Sequence, residues 1–112
     1  MPKYHKIISP ELKGEVSFYG NLGALAEFLD RTGKGLDSLQ SLSLIDIFGL
    51  MYEAYKVSCM RQKLEIENSF EDFRLFVNSK ELMKLYPIVL NEILEDSGFT
   101  DKEEKKTVQK VK

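Results

Sequence analysis

The sequence predicts a mainly α-helical protein: a small bundle of four to five helices that can carry a short N-terminal β-hairpin and ends in a disordered, charged tail. Three observations support this class. Apolar residues recur every three or four positions between residues 21 and 99, as in amphipathic helices. Asparagine and serine residues suited to capping precede these stretches. Strand-like alternation marks residues 15–18, within the N-terminal extension.

The N-terminal extension, residues 1–20, carries the strand-like pattern. Polar and apolar residues alternate over 15–18, which predicts a half-buried strand. Residues 6–8 can pair with it through a turn that contains Pro10 and Gly14. Because an isolated two-stranded hairpin is only marginally stable, we expect it to pack against the helices.

The helical domain, residues 21–99, opens with a helix that Asn21 caps and Gly33 ends. The next segment predicts a short helix or 3₁₀ turn that Asp37 or Ser38 caps. Its leucines stand at every third position: Leu36, Leu39 and Leu42.

The remaining helices of this domain follow serine caps. Ser43 opens the longest, over about residues 44–63, whose apolar residues extend almost all the way round the helix. Ser69 opens a short helix and Ser79 opens the last one. Pro87, inside that last helix, removes a backbone hydrogen bond and predicts a kink or a restart.

The C-terminal tail, residues 100–112, is predicted to be disordered, because Val108 and Val111 are its only apolar residues.

The net charge of the chain argues against a nucleic-acid-binding protein. The chain has 16 Lys and Arg against 18 Asp and Glu, a formal net charge of −2. A nucleic-acid-binding domain would show a net basic composition or a basic stripe, so nucleic acid is not an expected partner.

Cysteine usage and hydropathy predict a soluble, cytoplasmic protein. Cys59 is the only cysteine, which excludes an internal disulfide and fits a reducing compartment. The first residues lack the apolar core of a signal peptide. The longest apolar run, residues 42–60, contains Asp46, Glu53 and Lys56, so it is a poor membrane span and a good buried helix.

Gly33 and Lys34 form the Gly-Lys pair that also occurs in nucleotide-binding loops, so we compare the surrounding residues with that motif. A phosphate-binding loop needs G-x-x-x-x-G-K-[ST] between a strand and a helix. Here Phe28 stands where the first glycine is required, and Gly35 stands where the hydroxyl is required. The preceding segment is also helical, so this stretch predicts the end of a helix.

The sequence contains no other set of residues suited to a metal site or a catalytic site. His5 is the only histidine, so a zinc site lacks ligands and a nucleophilic Cys59 would have no other imidazole base. On so apolar a helix, a packed and inert thiol is the better interpretation. We therefore predict no catalytic, cofactor-binding or metal-binding residue, and a protein that is not an enzyme.

Apolar helical surface remains as the candidate functional feature. Aromatic residues and methionines at helical spacing are usually core, and that interpretation stays open for each of them. On a face that the other helices leave uncovered, the same residues would suit an adaptable binding groove. The partner-binding candidates are Phe48, Met51, Tyr52, Tyr55, Met60, Phe73 and Phe76.

Three stretches of the chain follow one another in a familiar order: FYGNLGALAEFLDRTGKGLDSL, LSLIDIFGLMYEAYKVSC and SFEDFRLFV. The chain resembles the tail assembly chaperones of long-tailed bacteriophages and related prophage elements. The likeness covers residues 18–94. It consists of a strand running into an NLGAL helix, an L-x-L-x-D opening of a long helix rich in Tyr and Ala, and a short helix that begins S-x-E-D-F.

The resemblance implies a non-enzymatic protein that binds the hydrophobic tape-measure protein and keeps it soluble during tail assembly. It further implies contact with the tail-tube protein, self-association into homo-oligomers, a place in the cytoplasm of the bacterial host, and absence from the mature virion. The alternative to a chaperone is a structural protein: an adaptor or oligomerisation module of the phage particle, of the head–tail connector type.

Overall fold

The computed structural model describes residues 3–97 and is mainly helical, as predicted. Two short strands come first, followed by four α-helices and one 3₁₀ helix: β1 (His5–Ile7), β2 (Val16–Phe18), α1 (Leu22–Thr32), the 3₁₀ helix (Leu36–Ser41), α2 (Leu44–Gln62), α3 (Phe70–Phe76) and α4 (Ser79–Ser97). The charged tail predicted over residues 100–112 lies outside the described residues.

Local hydrogen bonds set the bounds of α1, as the sequence indicates. The Asn21 side chain accepts from the Ala24 backbone N–H at 3.0 Å and satisfies a donor that the first turn leaves unpaired. At the other end Gly33 has φ +74°, and its N–H donates to the Leu29 carbonyl at 2.8 Å. The glycine next to Lys34 is therefore the left-handed end of a helix.

Serine caps open α2 and α3, while α4 departs from the prediction. The Ser43 and Ser69 hydroxyls accept backbone hydrogen bonds from residues three positions further on. For α4 the cap is Asn78 rather than Ser79, because the Asn78 Oδ1 accepts from the Glu81 N–H at 3.3 Å. The predicted restart at Pro87 does not occur, since α4 is one helix through that residue.

The 3₁₀ helix also begins differently from the prediction. Gly35 stands at its N-cap position and offers no side-chain cap. The Ser38 hydroxyl instead donates to the Gly35 carbonyl at 2.7 Å. This hydrogen bond, between two residues of the connection itself, stabilises the turn between α1 and α2.

The N-terminal hairpin is part of the core. β1 and β2 pair antiparallel, with Lys6 opposite Ser17. The prediction of a half-buried β2 is wrong, because Ser17 is only 2% exposed and its hydroxyl lies 2.6 Å from that of Ser58 on α2. The Tyr19 N–H also donates to the Ala54 carbonyl of α2 at 3.1 Å. Both faces of β2 therefore meet protein.

Helix α2 lies at the centre of the fold. Its residues are buried without a break from Gly49 to Tyr55. The hairpin and the other α-helices pack around it and contribute the rest of one core. The core side chains from these elements are Leu12, Val16, Phe18, Ala24, Leu25, Phe28, Phe73, Val77, Leu82, Val89 and Ile93.

The chain approaches α4 closely where β2 leads into α1. A Cβ atom added at Gly20 would lie 2.7 Å from the Val89 carbonyl oxygen. Nearby, His5 Nε2 lies 2.8 Å from the Glu92 carboxylate, and the Leu22 N–H donates to Asp96 at 2.8 Å. These contacts fix the end of the hairpin opposite its turn, together with the start of α1, against α4.

Replacing Gly20 with alanine should destabilise the protein, because a backbone carbonyl stands where the new methyl group would go. We expect the free energy of unfolding to fall by about 2 kcal/mol, as for other insertions into packed sites. Urea denaturation followed by circular dichroism measures this. Gly35→Ala is the control, since its Cβ would meet only the exposed Asp37 carboxylate at 3.0 Å. Equal effects in the two variants would contradict the close approach.

Candidate partner-binding surface

Most of the predicted partner-binding residues lie inside the protein. Met51, Tyr55 and Phe73 are at most 1% exposed, and Tyr52 is 8% exposed. Side chains this deeply buried offer no surface to a partner, so the structure corrects the prediction for these four and makes them core residues. The physical reason is that β2 and the other helices together cover both apolar faces of α2.

Three of the buried candidates, Tyr52, Tyr55 and Phe73, belong to an aromatic cluster between α2 and α3. The Tyr52 ring centroid lies 5.6 Å from that of Tyr55 and 5.4 Å from those of Phe70 and Phe73. Phe73 also stacks on Tyr55 at 5.9 Å and meets Phe18 of β2 edge-on at 6.1 Å. Each such pair contributes roughly 0.5–1.5 kcal/mol beyond area burial. The cluster therefore joins α3 and the hairpin to α2.

Asn68 supplies the polar partners of this cluster. Its side chain accepts from the Lys13 N–H and donates to the Lys13 carbonyl, each at 2.9 Å. The same amide donates to the Tyr55 hydroxyl at 2.9 Å, and the Asn68 backbone carbonyl accepts from the Tyr52 hydroxyl at 2.7 Å. One buried residue thus links the hairpin turn, α2 and the segment before α3.

Burial shifts the titration of the groups in and beside this cluster. It raises the pKa of the Tyr52 and Tyr55 phenols above their ordinary value of 10.0. It also raises the pKa of the Cys59 thiol above 9.0. Cys59 is 3% exposed, as the prediction of a packed thiol requires. At neutral pH these groups are protonated, so the Tyr52 hydroxyl can serve as a donor.

Three candidates remain at or near the surface. Phe48 is partly buried and packs against the core. Met60, near the end of α2, is 60% exposed, and Phe76, at the end of α3, is 45% exposed. Each exposed side chain stands close along its helix to a buried one, Met60 next to Cys59 and Phe76 three residues after Phe73. They are therefore apolar groups held at the surface by an ordered interior.

Sequence reasoning missed further exposed apolar side chains between these two. Leu64 and Ile66 lie in the connection from α2 to α3 and are 45% and 40% exposed, and Leu75 on α3 is 56% exposed. For Leu64 and Ile66 the sequence did contain an indication of exposure: they alternate with glutamates in KLEIEN, which lies outside any helix or strand. We call the exposed set the 60–76 apolar group: Met60, Leu64, Ile66, Leu75 and Phe76.

Helix α2 also buries a charge, which the sequence pattern treated only as an interruption. Glu53 is 3% exposed, and its two carboxylate oxygens meet Arg31 Nε at 3.1 Å and Lys56 Nζ at 3.3 Å. Gly49 leaves room for this arrangement, since a Cβ there would lie 3.3 Å from the Arg31 guanidinium. Both oxygens are paired, so this carboxylate has the environment of a structural ion pair.

Comparison with known protein families, with characterised proteins and with solved structures found no match to this chain. Within residues 3–97, no group of three or more His, Cys, Asp and Glu side chains is placed to hold a metal ion. No helix in that same part of the chain has the length and apolar character needed to cross a membrane. The exposed apolar side chains are thus the feature on which a functional proposal can be built.

Asn68→Ala should lower the free energy of unfolding by about 3 kcal/mol, because it leaves the Lys13 backbone groups and the Tyr55 hydroxyl without their partner. Urea denaturation measures the loss. Asn91→Ala is the matched control, since Asn91 is exposed and makes a hydrogen bond only to Glu95 among the described residues. A loss below 1 kcal/mol for Asn68→Ala would show that its hydrogen bonds are dispensable.

The raised tyrosine and cysteine pKa values predict a fall in stability at alkaline pH. The folded state holds these protons more tightly than the unfolded chain, so their contribution is complete below pH 9.0 and is lost as pH rises past 9.0 for Cys59 and 10.0 for the tyrosines. Each group adds at most about 1.4 kcal/mol per pH unit. Urea midpoints from pH 7 to 11 measure the fall. Tyr52→Phe should flatten it, and an unchanged slope would contradict the assignment.

Proposed function

We propose that this protein is a tail assembly chaperone of a phage or prophage, which binds the hydrophobic tape-measure protein and keeps it soluble while the tail is built. The observation that carries the proposal is the 60–76 apolar group, whose members are each at least 40% exposed. Its residues lie within the stretch over which the sequence resembles such chaperones. The proposal places the protein in the host cytoplasm and outside the finished virion.

The chemistry of the 60–76 apolar group suits a client that is long, apolar and variable in sequence. Methionine and aromatic side chains adapt to different apolar partners with little loss of contact. The glutamates of the connection, Glu65 and Glu67, are exposed beside the apolar residues and give the surface a polar border. Exposed apolar side chains with a charged border can bind a partner and still remain in solution.

The framework beneath this surface is fixed by the aromatic cluster and Asn68. Because Phe73 and Tyr52 hold α3 on α2, the exposed Phe76 and Met60 are presented without ordering a flexible segment. Binding to a preformed surface avoids part of the entropy loss of association. The proposed mode is therefore contact through a rigid surface, with no catalytic step and no cofactor, and with release when tail-tube subunits assemble around the client.

Removing the exposed side chains should weaken the proposed activity while leaving the fold intact. We expect the Met60→Ser/Phe76→Ser variant to bind the tape-measure protein at least about tenfold more weakly, because each truncation removes up to 1.5–3 kcal/mol of apolar burial. The measurement is the soluble fraction of the tape-measure protein after co-expression with each variant. Circular dichroism and urea denaturation confirm that the variant is folded.

Leu36→Ser is the matched control. Leu36 is 46% exposed and lies in the 3₁₀ helix before α2, outside the 60–76 apolar group. A tape-measure protein that stays soluble without this chain, or that the double variant rescues as well as the native protein does, contradicts the proposal. Mass spectrometry of purified virions tests the structural-adaptor alternative, which requires the chain to remain in the particle.

A further inference from the structure

The connection between α2 and α3 contains a stretch of backbone without hydrogen-bond partners. Among the described residues no partner is found for the backbone groups of residues 65–67, whereas the N–H of the preceding Leu64 donates to the Cys59 carbonyl at 2.8 Å. Residues 65–67 are all exposed and lie outside any helix or strand. A row of such N–H and C=O groups can accept an additional strand. We call residues 65–67 the open segment.

Alternate residues of the open segment face a cavity. This cavity of about 280 Å³ lies between the hairpin turn, α2 and the connection. Glu65 and Glu67 line it, whereas Ile66, which is 40% exposed, does not. The alternation is that of extended backbone, in which successive side chains point to opposite sides. A strand added to the open segment would therefore also turn every second side chain towards the cavity.

The cavity suits the side chain of a lysine. Its lining includes Leu64 and two deeply buried residues, Tyr55 at 1% and Cys59 at 3% exposure. A lysine lays its apolar stem along such a surface and keeps its ammonium group at a polar edge. The Glu67 carboxylate provides that edge beside the hairpin turn, where a Cβ added at Gly14 would lie 3.3 Å from its Oε2 atom. Apolar wall and carboxylate are thus combined in one site.

The two glutamates of the open segment carry the charge that a partner would recognise. Lys13 and Lys63 also line the cavity, so its net charge does not decide the partner. The third carboxylate of the lining, that of Glu15, is already paired with Lys6 at 2.7 Å. Within residues 3–97 the glutamates of the open segment form no salt bridge. They stand on either side of Ile66, and a matching strand would place two cations on either side of an apolar residue.

The chain itself carries the matching sequence. Residues 110–112 read Lys-Val-Lys, with one lysine on each side of a β-branched residue. With Val111 opposite Ile66, the two lysines come opposite the two glutamates whichever way the segment runs. Directly opposite residues of paired strands lie on the same face, where opposite charges and apolar pairs are favourable.

The described chain ends close enough for residues 110–112 to reach the open segment. The Leu22 N–H donates to Asp96 near the end of α4. Three residues before Leu22, the ring centroid of Tyr19 lies 4.2 Å from the guanidinium of Arg61 in the last turn of α2. The end of α4 therefore lies near the start of the connection. From there to Val111 a flexible chain spans up to about 46 Å when extended and about 20 Å on average.

We propose that residues 110–112 of this chain dock as an added strand on the open segment, with Val111 over Ile66 and the two lysines beside Glu65 and Glu67. Because the contact is made within one molecule, its effective concentration is on the order of millimolar, and even a weak contact is occupied. The predicted disorder of the tail is compatible with this contact, since disordered segments become ordered where they bind.

The docked segment covers part of the surface proposed for the client. Ile66 belongs to the 60–76 apolar group, so the tail and a client compete for it. This competition rests on the proposed function, whereas the docking itself does not.

Amide hydrogen exchange of the isotope-labelled full chain, measured by NMR without any client protein, tests the docking. Successive N–H groups of a strand point to opposite sides, so at least one amide of residues 65–67 pairs with the added strand. We expect it to exchange about twofold or more slowly in the native chain than in the Lys110→Glu/Lys112→Glu variant, which places like charges opposite one another. Adding Glu65→Lys/Glu67→Lys to that variant should restore the slow exchange, after correction for the altered side chains.

Lys105→Glu/Lys106→Glu is the matched control, because it makes the same charge change in the tail outside residues 110–112. It should exchange like the native chain. Equal rates in the native chain and in Lys110→Glu/Lys112→Glu overturn the docking. An equal effect of the control assigns the contact to the net charge of the tail and overturns the pairing with residues 110–112.

The dependence on protein concentration separates this contact from one between molecules. Slow exchange that is independent of concentration supports the docking, whereas slow exchange that appears only as the concentration rises places the segment on a second copy and contradicts it. The tape-measure assay is independent of these outcomes, since it changes Met60 and Phe76 and uses a client that is absent here.

Discussion

The amide of Asn68 is the contact on which the arrangement of the hairpin and helices depends. It pairs with both backbone groups of Lys13, as a neighbouring strand would, and so fixes the hairpin turn against the segment before α3. Its third hydrogen bond and its carbonyl engage Tyr55 and Tyr52 of α2. Because Asn68 is only 2% exposed, leaving its amide unpaired is costly, and alternative positions of the hairpin are disfavoured.

Fixing the hairpin on α2 decides where functional surface can exist. β2 covers one side of α2 so closely that the hydroxyls of Ser17 and Ser58 pair in the interior. The remaining sides are covered by the other helices, and even Glu53 is buried with its two cations. The apolar middle of α2 is thereby used entirely in folding. Exposed apolar residues lie instead in the hairpin connection, at the start of α1, in the 3₁₀ helix, near the ends of α2, in its connection to α3, and on α3 and α4.

The sequence predicted features whose physical cause is local. Helix caps at Asn21, Ser43 and Ser69, and the left-handed Gly33, depend on hydrogen bonds that span three or four residues, so the printed order of residues suffices. Burial of Ser17 depends on a partner 41 positions away and was not predictable from alternation. For the same reason residue type and helical spacing could not separate the buried Phe73 from the exposed Phe76. Only the packing of α3 on α2 does so.

Helix α4 shows how a departure from local rules can be interpreted once the core is known. Its inner face follows every rule: Leu82, Val89 and Ile93 are spaced for a helix and fully buried. The outer face is less regular: Lys80 stands in the first turn beside Glu81, a proline lies inside the helix, and Ile88 is half exposed. The inner face already accounts for the helix and its packing, so the core does not require these features of the outer face. Departures of this kind are expected where a surface is shaped by binding.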